Sequence, residues 1–316
     1  MPEASSARIG LVAPRIPDPG SIPVGPERFR EGATEIDVAR AAIAAPTIRL
    51  LEQDPLIRLG SDPEAIHDAR VAVRRIRSHL RTFRPVLRRG ATRDLRRELR
   101  WLGDVLGEVR DAEVLSGRLR GRLAGSAGEA PDIGPLLQEL ETRRAAGRRA
   151  LLSAMRSARY VAVLDELAAW AREPRGRDGR ADRPARRALD LMRAPWADLA
   201  DSVRELAPVP ADEGLHRVRI RTKRFRYAAE ALIPVAGRSA SRSASAAERL
   251  QEVLGEHQDA VSALRWLTEQ ARSTTDPRVA FDAGRLAEME WTARAHARDA
   301  WPALWSSLER RDRFWT

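Results

Sequence analysis

One stretch of this chain is written twice. "HDARVAVRRIR" starts at His67 and "HRVRIRTKRFR" at His216, so Arg70, Arg74, Arg75 and Arg77 correspond to Arg219, Lys223, Arg224 and Arg226 at a constant offset of 149 residues. Further along, "LGEVRD" is matched by "LGEHQD", pairing Gly107 with Gly255 and Asp111 with Asp259 at an offset of 148. Two elements repeated in the same order mean that a whole supersecondary unit has been duplicated.

The unit is helical. From Thr34 onward, apolar residues recur with helical spacing between short breaks such as "GSDPE" and "APVPADEG", and clusters of β-branched or aromatic residues suited to strands are few. Each copy has room for about four helices, so the expected architecture is all-α, two pseudo-symmetric four-helix bundles side by side. The first copy is expected over residues 34–171 and the second over 185–316. Between them, residues 172–184 ("REPRGRDGRADRP") read as a linker, and the Pro-rich residues 1–33 as a flexible leader.

At about 100° per residue, His67, Arg70, Arg74, Arg77 and Arg81 fall on one stripe of a helix, beside an apolar stripe of Ala69, Val73, Ile76, Leu80 and Phe83. The second copy sets His216, Arg219, Lys223 and Arg226 beside Val218, Phe225, Ala229 and Leu232. A solvated helix face ordinarily mixes signs at i and i+4 for mutual support, whereas like charges on successive turns repel. Such a stripe calls for carboxylates from neighbouring helices or for a bound anion. Asp111 and Asp259 are the natural internal counter-charges, and Gly107 and Gly255 would let helices approach closely. The two histidines stand in line with the arginines near helix N-termini, where anions are favoured. Charge repulsion from the arginines and attraction from a bound anion would make both take up protons on binding.

Composition is consistent with a polyanionic partner. The 316 residues carry a net charge of +11, although Lys223 is the single lysine and arginine bias accounts for part of the basicity. With no cysteine, disulfides and thiolate chemistry are excluded, and a cytoplasmic location is expected. No stretch approaches the roughly 18 uncharged residues that a membrane span needs, and no signal peptide is expected at the start.

The paired "HDARVAVRRIR…LGEVRD" and "HRVRIRTKRFR…LGEHQD" resemble the CHAD family, the conserved histidine α-helical domain, and the resemblance runs from about residue 34 to 316. It implies a basic cleft or channel between the two bundles that binds inorganic polyphosphate, with association to polyphosphate granules. The polyphosphate-binding residues would be His67, Arg70, Arg74, Arg75, Arg77 and Arg81 in the first copy, and His216, Arg219, Lys223, Arg224 and Arg226 in the second. Some relatives are fused to a CYTH triphosphatase domain. Its "ExExK" motif is missing here, since "EMEWT" at Glu288 lacks the final lysine.

Polyphosphate is a linear chain of charges without bases, and rows of forked donors suit it. Nucleic acid is disfavoured because single-strand binders interleave aromatic with basic residues, and Tyr227 and Phe225 are the only aromatics of the second basic stretch. No cofactor and no catalysis are expected. Glu108, Asp111, Glu256, His257 and Asp259 could be imagined around a metal for phosphohydrolysis, but their spacing matches no metal motif. A scaffold docking an acidic protein stays open as a third reading.

Overall fold

Thr34 starts the first long helix. Its backbone N–H and hydroxyl both donate to Asp37, closing a capping box, and Gly60 in the left-handed region ends the helix with an N–H to Leu56. The computed structural model describes residues 15–124, Pro131, 133–311 and Trp315, apart from the side chains at 89, 91, 123 and 124. Within them lie ten α-helices: α1 (Glu35–Leu59), α2 (Ala65–Thr82), α3 (Arg89–Ala124), α4 (Gly134–Met155), α5 (Ala158–Arg172), α6 (Arg193–Arg204), α7 (Asp212–Ala231), α8 (Ile233–Ala236), α9 (Arg238–Ser273) and α10 (Pro277–Glu309). Two isolated bridges, Thr34 to Pro184 and Leu87 to Gly176, are the only extended pairings among the described residues.

Packing follows the same order in both halves. α2 lies between α1 and α3, and α3 turns back along α4; α7 lies between α6 and α9, and α9 turns back along α10. The halves meet where α2 rests on α7. The apolar stripes read from the sequence form this frame: Ala69, Val73, Ile76, Leu80 and Phe83 are buried, as are Val218, Phe225, Ala229 and Leu232. Each large side chain so buried contributes about 1.5–3 kcal/mol.

The two halves share one core. A single cluster of buried apolar side chains runs from Val38 in α1 through α2, α3, α5, α7 and α9 to Trp305 and Leu308 in α10. Trp196, Phe225, Trp305 and Trp315 pack ring on ring, with centroids 5.4–5.8 Å apart. A smaller cluster (Leu119, Leu136, Leu140, Trp266, Leu267, Leu286) joins the far ends of α3–α4 to those of α9–α10. Beside it, Arg118 and Arg122 of α3 pair with Glu256 of α9 and the fully buried Glu290 of α10 at 2.6–3.2 Å.

Three details differ from the expected outline. Ten helices replace two sets of four, because α5 folds back on α1 and the one-turn α8 precedes α9. The expected flexible leader divides: residues 1–14 lie outside the described residues, while Ile22 is buried and the Phe29 N–H reaches Pro234 O at 3.2 Å. Prolines without helical periodicity here make a strap laid on the core. The stretch at 172–184 is likewise tied down, since Glu35, Ile36 and Arg88 donate N–H groups to Arg183, Ala181 and Arg175.

Candidate functional site

α2 and α7 run side by side in the same sense. His67 and His216 line the cavity at one end, while Arg81 and Arg224 line those at the other. Three cavities of about 880, 330 and 470 Å³ follow one another along the seam. The first two share Arg70, Arg74, Arg219 and Lys223; the second and third share Ser78, Arg81 and Arg224. Together they make a trough along the four turns or so of α2 between His67 and Arg81, about 21 Å of helix.

The positive charge in this trough is thinly offset. Among the described residues, the carboxylates that reach the stripe cations of the trough are Asp111 at 3.1 Å from Arg70, Asp198 at 3.9 Å from Arg81 and Asp259 at 4.0 Å from Arg219. Burial, then Arg219 and Arg74, push the Lys223 amine down to about 6, against the weaker pull of Asp259. Burial also lowers Arg219 and, with Arg81 and Arg221, brings Arg224 down to about 10. Arg77 is lowered by burial and Arg100, and Arg96 by burial and Arg81. His67 is lowered by burial and Arg110, whereas burial raises Asp259. The Nδ1 of His216 stands 2.5 Å from Gln258 Oε1, which fixes its ring.

Gly107 has a different use from the close helix approach expected of it. A Cβ there would stand 2.5 Å from Arg70 Nη1, so the missing side chain makes room for a guanidinium, not for a neighbouring backbone. At Gly255 the nearest atom to such a Cβ is Arg219 Nε at 3.8 Å. Both glycines seat the first arginine of a stripe, one tightly and one loosely.

Of the sequence-derived site residues, His67, Arg70, Arg74, Arg77, Arg81, His216, Arg219, Lys223 and Arg224 line the trough. Arg75 and Arg226 do not. Arg75 pairs with Glu230 at 2.8 Å, and Arg226 pairs with Glu230 at 2.7 Å and Glu248 at 3.1 Å. Both guanidinium groups stand over the buried Tyr227 ring, whose hydroxyl accepts from Arg74 Nε at 2.9 Å. Arg75 is one residue off its stripe. Arg226 sits on its stripe but is drawn away by Glu230 one turn on, where the first copy has no acid: Arg77 is followed at that spacing by Arg81.

Arg96, Arg110, Arg118 and Arg143, from α3 and α4, also line the cavities and were missed by the sequence reading. A signal for three of them existed. Arg96, Arg100, Gly103, Gly107, Arg110, Val114 and Arg118 follow at spacings of 3 or 4, which puts them on one face of α3. Of the imagined metal ligands, Asp111, Glu256 and Asp259 lie against arginines, and His257 is buried at 3.2 Å from Asp212. Among the described residues no three His, Asp or Glu side chains are grouped so as to hold a metal ion.

An all-α frame with two basic helices lining one row of cavities defines the class: a helical protein built around a cationic trough. The chain belongs to the CHAD domain family, whose match covers residues 41–268. It is 30% identical over 309 residues to "Uncharacterized protein Rv2226" of Mycobacterium tuberculosis, a match covering 92% of this chain and 56% of that protein. The chain thus spans about half the length of the curated relatives it matches. Solved structures share the fold. The CHAD domain from the plant Ricinus communis matches with a TM-score of 0.73 and 25% identity, over 92% of this chain and 96% of that one. PptA from Streptomyces chartreusis matches with a TM-score of 0.70 and 26% identity, over 87% and 100%. Among the described residues no helix is long and apolar enough to cross a membrane.

Proposed function

We propose that this chain binds inorganic polyphosphate along the α2–α7 trough without hydrolysing it, and that this binding targets it to polyphosphate granules. The observation that carries the reading is the crowding of Arg70, Arg74, Arg219 and Lys223 at the middle of the trough, where burial and then neighbouring cations depress the lysine. An arrangement that repels itself in the free protein is relieved by a polyanion. Membership of the CHAD family and the sequence resemblance supply polyphosphate as the particular anion. Nucleic acid fits less well, because Tyr227 and Trp266, the aromatics along the trough, are 2% and 7% exposed and offer no stacking platform. Asp111, Asp198 and Asp259 pair with guanidinium groups along the trough, which supports binding without turnover.

The test is a competition in which long-chain polyphosphate, single-stranded RNA and an acidic polypeptide are offered at equal charge. Polyphosphate should win, and its affinity should fall steeply with salt as condensed counterions cease to drive binding. The double reversals Arg70→Glu with Arg74→Glu and Arg219→Glu with Lys223→Glu should each remove most of the long-chain affinity while helicity survives, since contact with both stripes is intramolecular. Salt-independent affinity, release of orthophosphate, or a full-strength site left after either reversal would defeat the reading.

A further inference from the structure

The trough contains the one lysine among 56 basic side chains. Lys223, on α7, lines the cavities of about 880 and 330 Å³ and is faced by Arg70 and Arg74 of α2, Arg219 of its own helix and Asp259 of α9, with Tyr227 one turn on. Guanidinium groups keep their charge in such company, but an amine can shed its proton. A neutral amine beside fixed cations is a nucleophile, and the same cations hold phosphoryl oxygens.

We propose that the Lys223 amine is an acylation site for small acyl phosphates, which the surrounding guanidinium groups draw into the trough. The amine nitrogen attacks the acyl carbon, the bond from that carbon to the phosphate oxygen breaks, and orthophosphate leaves. The proton lost by nitrogen goes to the departing phosphate, leaving an amide on Lys223. Arg70, Arg74 and Arg219 are placed to take up the negative charge of the leaving group. The amide can no longer acquire a charge, so acylation would reduce the trough's hold on a polyanion. This step rests on the trough being an anion site, but not on which polyanion it serves.

The probe is acetyl phosphate at pH 7.5, applied to the intact chain with Nα-acetyl-lysine amide in the same tube as reference, and read by mass spectrometry of the Lys223 peptide. An ordinary lysine amine is free base to roughly one part in a thousand at that pH, whereas Lys223 is mostly free. Its acetylation should therefore outrun the reference by about tenfold or more, after allowing for the weaker nucleophilicity of a less basic amine. With p-nitrophenyl acetate, which carries no phosphate, the advantage should shrink, and added long-chain polyphosphate should protect Lys223 from acetyl phosphate. Chain acetylated at Lys223 should bind polyphosphate severalfold more weakly. Reaction no faster than the reference, or equal advantage with both donors, would overturn the proposal. Polyphosphate binding with an inert Lys223 would overturn this inference alone; a reactive Lys223 without polyphosphate binding would overturn the proposed function alone.

Discussion

A side-chain amine enclosed by Arg70, Arg74 and Arg219, with Asp259 as its nearby carboxylate, gives up its proton at about pH 6 in the free protein. A bound phosphate stabilises the ammonium and raises that value, so Lys223 takes up a proton on binding. The half-buried His67 adds in the same direction, because its free value is also lowered. Polyanion affinity should therefore rise as pH falls from about 8 toward 6 and level off below, where free and bound forms are both protonated. Calorimetry in two buffers of different ionisation enthalpy measures the uptake directly; zero uptake at pH 7.5 would contradict the assignment. The glycines make a second, asymmetric prediction. Gly107→Ala should displace the Arg70 guanidinium and weaken binding severalfold, whereas Gly255→Ala should leave Arg219 in place. Both gain up to about 1 kcal/mol of helix propensity, so thermal melts separate the two effects from affinity.

Between α2 and α7 the stripe and the clamp lie on different faces. Arg75 and Arg226 converge on Glu230 and the Tyr227 ring, fastening the two helices together without lining the cavities themselves. Arg75→Ala and Arg226→Ala should each lower stability by about 1–2 kcal/mol, since both leave a partly buried Glu230 less well paired. Polyphosphate affinity should stay within about twofold, which a titration beside a thermal melt checks. Helical spacing makes the stripe legible in the sequence, because arginines at successive turns stand out from any solvated face. Spacing could not assign Arg226, whose direction is set by an acid one turn on and another, Glu248, on α9. Nor does it reveal Arg96, Arg110 and Arg118, which lie on a helix whose repeat is marked in the sequence by its glycine and aspartate. Their stripe is interrupted by Gly103, Gly107 and Val114, which hides the periodicity of charge.

Duplication in the sequence suggested two bundles, yet the buried apolar cluster passes through both halves, and the Pro-rich strap from residue 15 to 33 reaches Pro234 in the second. Composition marks such a strap as non-helical; its docking is a tertiary outcome that no local pattern encodes. One core implies one transition: thermal unfolding followed by far- and near-ultraviolet dichroism should give coincident curves, and two separated steps would contradict it. The direction of the two stripe helices has a consequence of its own. Because α2 and α7 run the same way, their backbone dipoles add, and the end of the trough near His67 and His216 is the more positive by the partial charges of two helix N-termini. The groove is therefore polar from end to end, while a linear chain of identical phosphates reads the same from either terminus. Such a ligand can thread in both orientations with equal energy, because its two ends carry the same doubly ionised terminal group. For polyphosphate bound as proposed, a chain end would be drawn toward the histidines, and the length bound would be counted from there.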